Sequence, residues 1–207
     1  MQTTIRVEAK RFTNLATLKN IPSSIVKTHE QNYLRSVTQT NELFARIMNI
    51  NRDTSPSARD DLRSALTHVA SSLAEVKSYE LFLTHLGGAV RKPQENFLAQ
   101  IRKDFGSQEE FRSQFMKAAI VTPVWVAVAY DLDLHRLLIM IGDTPERLSV
   151  WNLAPVIVIE ASPQTIGTEF GTDRERYFQS IMDHIDWAVV ERNLEDAAGL
   201  QPAGKPF

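Results

Sequence analysis

The sequence predicts an α+β fold, in which a run of helices precedes a run of strands. Three observations carry this. Apolar residues recur at a helical period through the first part of the chain, as far as Leu83. Valine, isoleucine and aromatic residues then concentrate in short segments between residues 124 and 160. Two further segments of helical pattern close the chain.

The first helix starts at Pro22-Ser23-Ser24, where a serine can accept a free N–H as N-cap. Its apolar stripe is Val26, His29, Tyr33, Val37, Phe44 and Ile47. The polar run Asn51 to Ser57 breaks it. A second helix carries Leu62, Leu66, Val69, Leu73, Val76 and Leu83 on one face and ends at Gly87-Gly88. Two long helices joined by a short polar loop predict an antiparallel hairpin. Pro93 to Phe105 is a short amphipathic helix. Ser107-Gln108-Glu109-Glu110 has the form of a capping box and opens a helix to about Ile120. Strands are expected at Val124–Tyr130, His135–Ile141 and Val156–Glu160, with Asp131-Leu132-Asp133 as the first turn. Helices Asp173–His184 and Asp186–Asp196 follow, Asp186 serving as an N-cap. The chain divides into a tail (1–20), a hairpin domain (21–90), an α/β domain (91–200) and a second tail (201–207).

Composition narrows the function. Apolar residues make up 43% and charged residues 23%, an ordinary globular balance. The net charge of −2 argues against a nucleic-acid partner, which would need a basic face. The absence of cysteine excludes disulfides, thiol catalysis and thiolate metal sites. The longest apolar runs, Pro123–Tyr130 and Leu137–Ile141, fall far short of the ~20 residues of a membrane span. Arg6, Lys10, Arg11 and Lys19 give the N-terminus a weak organelle-targeting look, but a solvated basic tail and a cytoplasmic location are expected.

Several segments resemble the iron/manganese superoxide dismutase family, over roughly residues 20 to 197. They are Asp104-Phe105-Gly106-Ser107 with Phe111, Phe115 and Ala118-Ala119-Ile120; Pro155 to Glu160; Arg176-Tyr177-Phe178; and Ile185 to Val190 with Arg192-Asn193-Leu194. The resemblance implies an N-terminal antiparallel helical hairpin and a C-terminal α/β domain with a three-stranded antiparallel sheet. It also implies one Fe or Mn ion held by three histidines and an aspartate, cycling between +2 and +3 as superoxide is consumed.

Carried over residue by residue, the four ligand positions fall at His29, Tyr79, Glu160 and Gln164. One histidine is retained, the aspartate becomes a longer carboxylate, and two imidazoles are replaced. Around them, the gateway histidine falls at Tyr33, the gateway tyrosine at Val37, a supporting glutamine at Glu75 and the dimer-crossing glutamate at Pro163. Losses in the supporting shell alone cost about 10–100-fold in metal affinity or activity. His68 and His85 lie on the helix of Tyr79 but at the wrong distance or angle, His68 being ~16 Å away along the axis.

Two readings of the set stay open. His29, Glu75, Tyr79 and Glu160 form either a buried polar cluster, with Tyr79 filling the metal's place, or an oxygen-rich Mn or Fe site whose firmest ligands are His29 and Glu160. The first implies no cofactor, no dismutation and a role as a homodimer, related heterodimer or partner-binding protein. The second implies a divergent metal-dependent dismutase or another redox metalloprotein. A structural subunit of the mitochondrial ribosomal kind is a third alternative. Trp125 and Trp187 read as core aromatics, and Arg174-Glu175-Arg176 as a solvated helix face.

Overall fold

The computed structural model describes residues 5–50, 55–167 and 169–200. Two long helices, α1 (Ser23–Ile50) and α2 (Pro56–Thr84), pack together as the expected hairpin. Residues 51–54, most of the predicted break, lie outside the described residues, as do 1–4 and 201–207 of the two tails. Ser55 caps α2 by accepting from the Ala58 amide at 3.2 Å. On α1 the buried face is Ile25, His29, Tyr33 and Val37, each four residues from the last. On α2 it is Val76, Tyr79, Phe82 and Leu83, with Leu86 just beyond its end.

Burial fades toward the hairpin's far end. Leu66, predicted on the core stripe, is 51% exposed, and Phe44, Ile47 and Leu62 are only partly covered. That half of each helix meets mainly its hairpin partner, whereas the near half also meets the sheet. Periodicity records which face is apolar, not how many layers cover it.

Helices α3 (Glu95–Phe105) and α4 (Gln108–Val121) lead into the sheet. Ser107 caps α4 through the Glu110 amide, but the Glu110 carboxylate accepts from Gln114, so only half of the capping box is seen to form. The sheet is β1 (Trp125–Asp131), β2 (Arg136–Gly142) and β3 (Leu153–Glu160), antiparallel, in the order β2-β1-β3. In the first turn Asp131 accepts from the amides of Asp133 and Leu134, and His135 takes a left-handed φ of 52°, which delays β2 by one residue. The register slips at Val128/Ala129, where Pro155 stands opposite Ala129 without an N–H to give. At the sheet's other end Trp125 pairs with Glu160, so their side chains share one face.

Short α5 (Pro163–Ile166), α6 (Arg174–Met182) and α7 (Trp187–Gly199) finish the fold, with Asp186 capping α7 through the Ala188 amide. A bridge between Leu86 and Ile185 ties the end of α2 to the α6–α7 corner. Gly87 there has φ +83°, and an added Cβ would collide with the Asn14 carbonyl.

Residues 5–20 are not a solvated tail. Val7 exchanges hydrogen bonds with Asn41, Lys10 reaches the buried Glu80 at 2.7 Å, and the Asn14 amide donates to the Leu83 and Leu86 carbonyls. Sequence charge suggested solvation, yet these contacts tie the segment to α1, to α2 and to the turn just after it.

Candidate functional site

The site sits where the near half of the hairpin meets the end of the sheet. His29 and Glu160 are each 2% exposed, with Nδ1 and Oε2 3.2 Å apart. The two atoms are close but misaligned, and neither makes a directed hydrogen bond. The other Glu160 oxygen accepts from the Ser162 amide at 2.9 Å. Burial pushes the Glu160 carboxyl up, but the His29 contact and the Ser162 donors together outweigh it and hold the group below the usual carboxylate range.

Tyr177, fully buried on α6, closes the arrangement. Its hydroxyl donates to the Glu160 backbone carbonyl at 2.6 Å and lies 3.2 Å from His29 Nε2. With the hydroxyl proton committed to the carbonyl, Nε2–H is the donor to the Tyr177 oxygen. Nδ1 then faces the carboxylate, and that contact closes only with one further proton or a cation between the two atoms.

Tyr79 and Trp125 stack edge to face, ring centres 5.0 Å apart. Burial, then the Glu160 charge, pushes the Tyr79 phenol far up, so it is a hydrogen-bond donor and not a phenolate. Glu75, one turn before it, is also raised, by burial first, against the lowering pull of Ser36 and Arg35. These residues line a cavity of about 420 Å³ with Asn32, Gln164 and the edge of Glu160. It shares Gln39, Glu75, Val124 and Trp125 with a groove of about 660 Å³ between the hairpin and the residues that follow β2.

The four mapped ligand positions thus divide. Glu160, Tyr79 and Gln164 line one cavity, and His29 stands behind Glu160. Gln164 lies exposed at the cavity's rim. Glu75 joins the cavity. Tyr33 does not: its hydroxyl serves the Lys10 amide and Glu80 on the other side of α1. Val37 is plain core, and Pro163 is the exposed first residue of α5. An open polar cavity, lined in part by Ser162 just after β3, adjoins the former metal position.

Three contributors escaped the sequence reading. Arg174 is no solvated charge: it spans the Ala161 and Thr122 carbonyls at 3.0 and 2.8 Å and rests over the Phe178 ring. Tyr177 and Arg35 were likewise unmarked as site residues. His68 is exposed in the outer groove, and His85, His135 and His184 bond elsewhere or not at all.

Comparison with known proteins follows the same lines. The family model described as "Iron/manganese superoxide dismutases, C-terminal domain" matches residues 93–193. "Superoxide dismutase [Mn] 2" of Halobacterium salinarum is 25% identical over 176 residues, 84% of each chain. "Superoxide dismutase [Fe] 3, chloroplastic" of Arabidopsis thaliana is 25% identical over 140 residues, 66% of this chain and 53% of the relative. "Superoxide dismutase [Fe]" of Helicobacter pylori is 22% identical over 138 residues, covering 66% and 65%. The chain is thus similar to iron/manganese superoxide dismutases, through the C-terminal domain model over residues 93–193 and through relatives at 22–25% identity. The fold agrees throughout, and no helix among the described residues is long and apolar enough to cross a membrane.

Does the superoxide dismutase metal fit here? Metal–ligand bonds of about 2.1 Å put two cis donors about 3.0 Å apart, near the His29–Glu160 spacing. Beyond that pair the set fails. Among the described residues no group of three histidine or acidic side chains could hold an ion. The Tyr79 ring lies 6.4 Å from the His29 ring, centre to centre. One imidazole and one carboxylate do not make the nitrogen-rich donor set of a redox Fe or Mn centre.

Proposed function

We propose that this chain is a superoxide dismutase-fold protein that has lost dismutation and serves as a non-catalytic binding protein, a homodimer or the partner of a related chain. The observation that supports this is the donor set: His29 meets Glu160 alone, while Tyr79 and Gln164 border a cavity where imidazoles would be needed. A fold outlives its site because packing and chemistry rest on different residues. The test is elemental analysis and a dismutase assay on full-length protein purified without added metal. The expected result is no stoichiometric Fe or Mn and no activity above that of free ions. Stoichiometric metal that disappears in His29→Ala would overturn the proposal.

A second reading, a divergent metal-dependent dismutase, is favoured by one observation. The misaligned Nδ1···Oε2 contact at 3.2 Å has the spacing of two cis ligands. Growth with excess Mn or Fe, followed by the same analysis of wild type and Glu160→Gln, separates the readings.

A further inference from the structure

We propose that the cavity beside Tyr79 binds a small zwitterion, a molecule with an ammonium group at one end and a carboxylate at the other. The inference deepens the binding role above and rests on that reading.

The charges that face the cavity carry the argument. Both Glu160 oxygens are already engaged, one facing His29 Nδ1 at 3.2 Å and the other accepting from the Ser162 amide. That leaves Arg35 and Glu75, which both line the space. Among the described residues neither has an oppositely charged side chain within ion-pair distance. Among the described residues the guanidinium of Arg35 bonds the Asn32 side chain, and it acts on Glu75 without a direct ion pair. Two opposite charges facing one space without pairing leave room for a ligand that carries the complementary two. A diamine would meet the Arg35 charge, and a dicarboxylate would meet Glu75 and Glu160. A net-neutral molecule with separated ends satisfies both.

The rest of the lining fits such a ligand. The phenol of Tyr79 stays protonated and can donate. The faces of Tyr79 and Trp125 suit an ammonium or a short methylene chain. A volume of about 420 Å³ lies in the range of small-molecule sites. Asn32 and Gln164 supply neutral donors and acceptors toward the opening.

The experiment uses three four-carbon probes that differ only in their ends: γ-aminobutyrate, putrescine and succinate. Titration calorimetry on the full-length protein reads affinity, and the indole N–H resonance of Trp125 reports the location. The expected result is that γ-aminobutyrate binds, shifts Trp125, and is preferred over the other two. Arg35→Met and Glu75→Gln should each weaken binding by about 10- to 100-fold, the worth of a hydrogen bond to a charged group. Arg102→Met, on α3 beside Glu95, should leave it unchanged. If a variant loses its folded circular-dichroism spectrum, the wild-type Trp125 shift and the probe ranking still decide. Equal or tighter binding of putrescine or succinate would overturn the proposal. So would no binding of any ω-amino acid from glycine to ε-aminocaproate. Metal found by elemental analysis sinks the functional reading whatever the probes do, whereas a metal-free protein that ignores them sinks only this inference.

Discussion

His85 should make this protein acid-sensitive in a window that identifies it. The ring is fully buried at the end of α2, Nδ1 bonds the Leu81 carbonyl, and Nε2 has no partner. Burial drives its pKa from 6.5 down to about 4. Folding then requires the neutral ring, while the unfolded chain takes up a proton below pH 6.5. Stability from this group is complete above that value and is lost as pH falls toward 4. One pKa unit corresponds to about 1.4 kcal/mol, so the loss totals about 3 kcal/mol. The assay is urea denaturation at a series of pH values for wild type and His85→Leu. The leucine keeps the backbone bond from residue 85 to the Leu81 carbonyl and cannot titrate. Acid loss through Glu160 is common to both proteins and cancels in the difference. Wild type should lose about 3 kcal/mol more than the variant between pH 7 and pH 4, with the slope concentrated between the two pKa values. Parallel stability profiles would refute the reasoning.

Tyr177→Phe removes the hydroxyl that serves both the Glu160 carbonyl and His29 Nε2 and should cost about 2–3 kcal/mol in urea denaturation, because buried polar atoms are left unpaired. Gly87→Ala adds a Cβ against the Asn14 carbonyl at a positive φ and should cost about 1–3 kcal/mol, read as a lowered Tm. Asn14→Ala, which frees the Leu83 and Leu86 carbonyls, should cost about 1–2 kcal/mol and speed amide exchange at the α2 terminus. His29→Leu or Glu160→Met alone should cost about 3–5 kcal/mol, and the double variant markedly less than either, because each single change strands a buried polar partner.

Much of the fold was legible because it is written in local chemistry. The spacing of Val26, His29, Tyr33 and Val37 marks a helix face, although Ile25 and not Val26 is the residue fully buried at its start, and the Ser107 and Asp186 caps mark helix starts. The β1–β2 turn follows from Asp131 and its two neighbouring amides. What stayed hidden depends on elements far apart in sequence. Arg174 sits in an Arg-Glu-Arg run that looks solvated, yet its partners are carbonyls at 122 and 161. Lys10 looked like part of a tail because its acceptor, Glu80 on α2, is unseen from the chain alone. The cavity is bounded by α1, α2 and the end of β3, and no single residue announces an empty space.

On the proposed loss of dismutation, the buried pair accounts for which of the mapped ligand positions stayed. Once His29 and Glu160 face each other away from water, losing either one strands the other, so packing alone holds both in place. Tyr177 strengthens this, since it bonds the ring and the carbonyl of the carboxylate's own residue. The positions of Tyr79 and Gln164 are under no such constraint. Tyr79 keeps its ring against Trp125, and Gln164 stands exposed at the rim, so an imidazole could leave either place without stranding a partner. Retention of one histidine and one carboxylate is therefore what structural selection by itself would leave behind, and the informative residues are those at the two positions where selection was free to act.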